Sequence, residues 1–128
     1  MKKLFLLILP LFLLISACQK TEYVTPNQTI LTSIPANAWV SSNNNRQYSA
    51  TINMPEIDNY IDERGGVLVY IAFGDAAYEQ IPEVYDGFSY SYSYAPGELT
   101  IDMQSSDGVS QIPPPGAIYV KIVLIESN

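Results

Sequence analysis

Residues 67–74 read VLVYIAFG, and the run from Val67 to Gly74 decides the fold. It is continuous and apolar, too short for a helix, and rich in β-branched and aromatic side chains. Such a run reads as a central strand buried on both faces. Alternation sends Val67, Val69, Ile71 and Phe73 one way and Leu68, Tyr70 and Ala72 the other. A second run, Ala117 to Glu126 (AIYVKIVLIE), is apolar on both sides apart from Lys121 and reads as a strand beside the first. Lys121 is expected to pair with an acid on a neighbouring strand or to snorkel to the sheet edge.

Outward from these two strands the pattern changes to half-buried alternation. Thr29 to Ile34 (TILTSI) reads as a first strand stopped by Pro35, and Ala38 to Ser41, carrying Trp39, as the next. Ser42 and Asn43 to Asn45 are turn formers. Tyr48, Ala50 and Ile52 then alternate with Gln47, Ser49, Thr51 and Asn53, completing a hairpin. Pro55 to Arg64 breaks the pattern. Pro55 suits a first helical position, Ile57, Tyr60 and Ile61 share one helical face, and Gly65 suits a left-handed cap. This predicts one short helix or 3₁₀ turn. Ala77 to Val84 reads as an edge strand because it contains Pro82, and Asp86-Gly87 as a tight turn. Phe88, Tyr90, Tyr92 and Tyr94 alternate with serines, Pro96-Gly97 turns the chain, and Leu99, Ile101 and Met103 alternate with polar residues. Ser105 to Gly116 is a loop stiffened by Pro113, Pro114 and Pro115. The expected fold is all-β: an immunoglobulin-like β-sandwich of about seven strands with one short helix, the alternative being a small β-barrel.

The front of the chain carries a different signal. Lys2 and Lys3 precede an almost unbroken apolar stretch from Leu4 to Ile15, then Ser16, Ala17 and Cys18. This is the pattern of a secretory signal peptide, too short for a membrane-spanning helix. Leu14-Ile15-Ser16-Ala17-Cys18 resembles the lipobox of bacterial lipoproteins. The resemblance implies cleavage before Cys18, a diacylglyceryl group on its thiol and acylation of the new amine. Several acyl chains make a stable anchor where one is marginal. No Asp follows Cys18, so inner-membrane retention is not signalled, and Gln19-Lys20-Thr21-Glu22 is similar to the surface-export signal of Bacteroidota lipoproteins. The expected organisation is 1–17 signal peptide, 18–28 lipidated Cys and tether, and 29–128 β-sandwich domain. The expected location is the outer membrane, lipid-anchored, facing either the cell surface or the periplasm.

Composition narrows the function. Without the signal peptide, Lys20, Arg46, Arg64 and Lys121 stand against 13 acidic residues, a net charge of −9. The basic residues form no patch, so nucleic acid is excluded as a partner. The chain has no His, and Cys18 is its one Cys. With lipid on Cys18 no thiol is left for a disulfide, a metal or a nucleophile, and His-based catalysis and the commonest zinc sites are excluded. There is no P-loop and no GxGxxG. No cofactor and no metal are expected.

From Trp39 onward the layout is similar to a group of small Bacteroidota lipoproteins without assigned function. The resembling pieces are the Trp39 strand, Tyr48-Ser49-Ala50-Thr51-Ile52 with Met54-Pro55, Gly66-Val67-Leu68-Val69-Tyr70, Ile81-Pro82, and Lys121-Ile122-Val123-Leu124-Ile125. The likeness is structural and implies no catalytic residue.

The expected function is a non-enzymatic binding or structural module, with the membrane reached through lipid and a glycan or protein as further partner. The alternative is a carbohydrate-binding accessory domain. Its candidate ligand-binding residues are Phe88, Tyr90, Tyr92 and Tyr94, since tyrosine offers sugars a flat apolar body with a polar tip. Exposure separates a binding row from a core row. Two further chemistries have candidate residues. Carboxylate pairs for hydrolysis would come from Glu56, Asp58, Asp62 and Glu63, or from Glu79 and Glu83 flanking Ile81. Calcium ligands would come from the loops, but no Asp-x-Asp-x-Asp-Gly stretch occurs, and Asp86-Gly87 and Asp107-Gly108 read as turns.

Overall fold

The alternating and continuous apolar runs all become strands. The computed structural model describes residues 26–127. The expected signal peptide, the expected lipidated Cys18 and the expected tether as far as Thr25 lie outside the described residues. Nine strands occur among those described: β1 (Gln28–Ile34), β2 (Val40–Ser42), β3 (Gln47–Met54), β4 (Gly66–Ala72), β5 (Glu79–Ile81), β6 (Glu83–Tyr85), β7 (Phe88–Ala95), β8 (Gly97–Ser105) and β9 (Ile118–Ile125). One six-residue helical turn, α1 (Asn59–Arg64), and a 3₁₀ turn at Ala36–Ala38 complete the set. A four-stranded sheet, β1-β9-β4-β5, faces a five-stranded one, β2-β3-β8-β7-β6, and every pair is antiparallel. Both sheets stay open, so the molecule is a sandwich and not a barrel.

The two apolar runs lie side by side, as expected: β4 pairs with β9, Val69 opposite Ile122 and Ile71 opposite Val120. These four side chains have no solvent exposure and form the middle of the core with Leu99 and Ile101 of the opposing sheet. Burying each contributes about 1.5–3 kcal/mol. The expectation of burial on both faces fails. Leu68 and Tyr70 of β4 and Lys121 and Val123 of β9 are half-buried on the outer face, and Tyr119 is exposed there. The outer face is apolar in composition but carries no second layer of protein among the described residues.

Four further expectations are corrected. Trp39 precedes β2 instead of lying in it, and it is buried. The Ala77–Val84 strand is two strands: the chain leaves the four-stranded sheet at Ile81 and enters the five-stranded one at Glu83, with Pro82 between them. Both pieces are edges, as a proline inside a run requires. The helix starts at Asn59, capped by Asp58, whose carboxylate accepts a hydrogen bond from the Ile61 amide at 2.8 Å, so Pro55 lies outside it. Gly65 is not left-handed (φ −96°). Its reason is space, because a Cβ there would sit 2.5 Å from the Ile125 carbonyl oxygen.

The turns sort the molecule into two ends. One end holds α1, the Pro96-Gly97 turn and both ends of the described residues: the Asn27 side chain accepts from the Glu126 amide, and the Tyr60 hydroxyl donates to the Ser127 carbonyl. The other holds the Asn43–Asn45 turn, the Asp86-Gly87 turn, the Gly74 turn and the long loop from Ser106 to Ala117. β1 runs from the first end, Gln28 opposite Leu124, to the second, Ile34 opposite Ile118. Its seven residues span about 20 Å.

Candidate functional site

The loop end is held open by specific bonds. Asn43, Asn44 and Asn45 all take positive φ, a conformation asparagine tolerates best among residues with a side chain. Their carbonyls then bind the long loop: Asn45 O accepts from the Ile112 amide at 2.9 Å and Asn44 O from Gln111 Nε2 at 3.1 Å. Arg46 Nε donates to the Val109 carbonyl at 2.9 Å. Asp107 ties the start of the loop by accepting from the Val109 amide, the Ser110 amide and the Ser110 hydroxyl. These bonds hold its carboxyl well below the usual carboxylate range. At the far end of the loop, Trp39 Nε1 donates to the Gly116 carbonyl at 3.0 Å. Pro113 to Pro115, stiff by covalent structure, lie between these fixed points.

Opposite the prolines stands the β6–β7 hairpin. Asp86 and Gly87 both have positive φ (50° and 82°), and Tyr85 pairs with Phe88 across the two-residue turn. That geometry matches the right-handed twist of the strands and sets both rings at the tip. Between hairpin and proline wall is a cleft of about 280 Å³, lined by Phe73, Tyr85, Phe88 and Tyr90, by Asp86, and by Pro113 to Ile118 with Met103 at its base. Phe73 stacks on Tyr85 with centroids 5.3 Å apart and planes at 16°, and tilts against Tyr90 at 5.6 Å and 60°. Tyr85 is 48% exposed and Asp86 is exposed, so the hairpin side is the open side. None of the described residues lining the cleft is basic. A second hollow of about 320 Å³ adjoins it around Ser33 to Pro35, Gly74 and Ala117 to Tyr119, and has no charged lining side chain.

The aromatic row of β7 is divided by this geometry. All four rings point between the sheets, since Tyr90 is opposite Met103 and Tyr92 opposite Ile101. Tyr90 is buried, and Phe88, Tyr92 and Tyr94 are half-buried against the core. The Tyr92 hydroxyl donates to the Val67 carbonyl of the facing sheet at 2.6 Å. The row is therefore no solvated platform. Its Phe88-Tyr90 end lines the cleft, and its Tyr92-Tyr94 end is core. Burial first, then the charges of Glu83 and Asp86, push the Tyr90 phenol up from its ordinary value.

Among the carboxylates weighed, Glu79 and Glu83 are brought face to face across Pro82. Glu83 Oε1 is sealed from solvent without a hydrogen-bond partner. Burial first, and then the charge of Glu79, raises the Glu83 pKa. Glu56, Asp58, Asp62 and Glu63 are exposed around α1. Among the described residues no three acidic, His or Cys side chains converge as a metal site would need. Among the described residues Lys121 has no acidic partner within salt-bridge distance. Its ammonium lies over the rings of Tyr70 (4.4 Å) and Tyr78 (5.0 Å) on the outer face.

Phe73 and the proline wall were missed as site residues in the sequence. Their nearness to Phe88 depends on pairing between distant strands, and only the stiffness of Pro113 to Pro115 was visible beforehand. Compared with protein families, curated proteins and solved structures, this chain matches none.

Proposed function

We propose that this chain is a lipid-anchored, non-enzymatic binding module of the outer membrane, tethered through Cys18 and binding through the cleft between Tyr85, Phe88 and the proline wall. The observation carrying this reading is the placement of the two ends. The tether enters β1 at Gln28, and the cleft lies beyond Ile34, about 20 Å along the same strand. A lipid on Cys18 would therefore join the domain at the end opposite the cleft. The cleft also has the make-up of a ligand site, mostly apolar walls with a few polar groups, formed at the loop end of a sandwich.

The test uses the full-length chain expressed in bacterial cells fed an alkyne-bearing fatty acid. The wild type is expected to carry the label and fractionate with the outer membrane, and Cys18→Ser to lose both. A wild-type product with an unmodified thiol would overturn the anchor. The binding half is tested on a glycan array and by ligand titration with Tyr85→Ala as control. Glycan capture that survives Tyr85→Ala and Phe88→Ala would move the site elsewhere.

A further inference from the structure

We propose that the cleft takes an organic cation of the quaternary or alkylammonium class; this rests on the cleft being the binding site. Four aromatic rings, those of Phe73, Tyr85, Phe88 and Tyr90, converge on one cavity of about 280 Å³. That volume is at the small end of ligand pockets and suits a compact head group. Aromatic faces attract cations through their quadrupole, and the attraction grows when water is excluded. Phe73 and Tyr85 are stacked at 16°, and Tyr90 meets Phe73 at 60°, so the stacked pair and the Tyr90 ring form a corner. A corner presents π-density to a rounded cation from two directions.

Charge points the same way. Asp86 is the charged group in the lining, and Glu83 lies close enough to raise the Tyr90 phenol together with it. No described cationic side chain lines the cleft to neutralise them. Lys121, which does use tyrosine rings, is on the outer face of the other sheet. The adjoining hollow of similar size has no carboxylate and one aromatic ring, Tyr119, so it lacks both halves of the arrangement. The acidic chain as a whole concentrates cations near its surface.

The experiment titrates full-length protein in maltoside micelles with choline and with its neutral isostere, in which carbon replaces the quaternary nitrogen. Ring resonances of Tyr85 and Phe88 are followed by NMR. Choline is expected to shift both, with an affinity about tenfold above the isostere. Asp86→Asn should weaken choline several-fold and leave the isostere unchanged. The fold survives that change because Asn accepts the positive φ at this turn. Added salt should weaken choline alone. Equal affinity for the two compounds would overturn the cation inference and leave the cleft as an apolar site. Shifts that persist in Tyr85→Ala would place the cation elsewhere on the acidic surface and overturn it too. No shift from either compound at millimolar concentration would overturn the cation inference, while the glycan array and the Tyr85→Ala control test the cleft as a binding site independently.

Discussion

Asp107 shows how one exposed carboxylate can set a loop. It accepts three hydrogen bonds from the Val109 and Ser110 positions, and its pKa is depressed below its ordinary 3.8 by them. A depressed acid stabilises the fold above its unfolded value and loses that contribution as pH falls through its folded one. Asp107→Ala should therefore lower Tm at neutral pH, with the gap to wild type starting to close as pH falls through the ordinary value of 3.8 and continuing to close in stronger acid. Thermal melts across that range check it, and a gap unchanged by pH would refute it. Glu83 has the opposite sign. Its raised pKa means the folded state prefers the neutral form, so its ionised form costs stability as pH rises through the folded value. Glu83→Gln should raise Tm by roughly 2 °C at neutral pH, since a half-exposed acid is partly screened, and by nothing in acid below the unfolded value. Neither behaviour was legible in the sequence, where Asp107-Gly108 read only as a turn and Glu83 as one flank of Ile81. The turn was right, but the bonds come from residues whose positions the turn itself creates. Lys121 was misjudged for a related reason. A lysine in an apolar run needs a counterpart, and the sequence did not reveal that tyrosines 51 and 43 residues away would supply it.

At the scale of elements, alternation proved a good guide to strands and a poor guide to their surroundings. Every expected strand exists, because period-two patterns state which side chains share a face. What they omit is how well that face is covered. Val69 and Leu68 are equally apolar, yet one has no exposure and the other is half-buried, since only the inner face of the four-stranded sheet meets another layer. The same omission left the row from Phe88 to Tyr94 undecided between core and binding face. The structure makes it both, by placing one end beneath the loops. Mutations should read this asymmetry. Ile122→Ala, in the middle of the core, should cost about 3 kcal/mol and lower Tm by roughly 12–20 °C. Leu31→Ser, in the same sheet but on its 67% exposed outer side, should stay within about 0.5 kcal/mol. Calorimetry on both variants checks the contrast, and comparable losses would mean that the outer face is covered in the working protein.

For the whole molecule, the sandwich sets the distance between its two ends. Its strands run end to end between the side where the chain enters and the side where the loops gather, so length of sheet becomes distance from whatever holds the N-terminus. The chain has one tryptophan, and Trp39 is tied by its indole to Gly116 in the cleft wall. It is thus a built-in reporter for the loop end. With the lipidated protein in liposomes containing brominated lipids, which quench only at short range, Trp39 emission should be unchanged. A variant that moves the reporter, Trp39→Phe with Tyr60→Trp, puts the indole beside Ser127 at the tether end, where quenching should be greater. From Cys18 to Gln28 the chain spans at most about 35 Å, and the expected order of the two signals follows from the end of the sandwich that Gln28 occupies. Equal quenching at both positions would mean that the sandwich lies flat on the bilayer. In that arrangement the half-covered outer face of β4 and β9 would be the surface meeting lipid, and the cleft would open sideways.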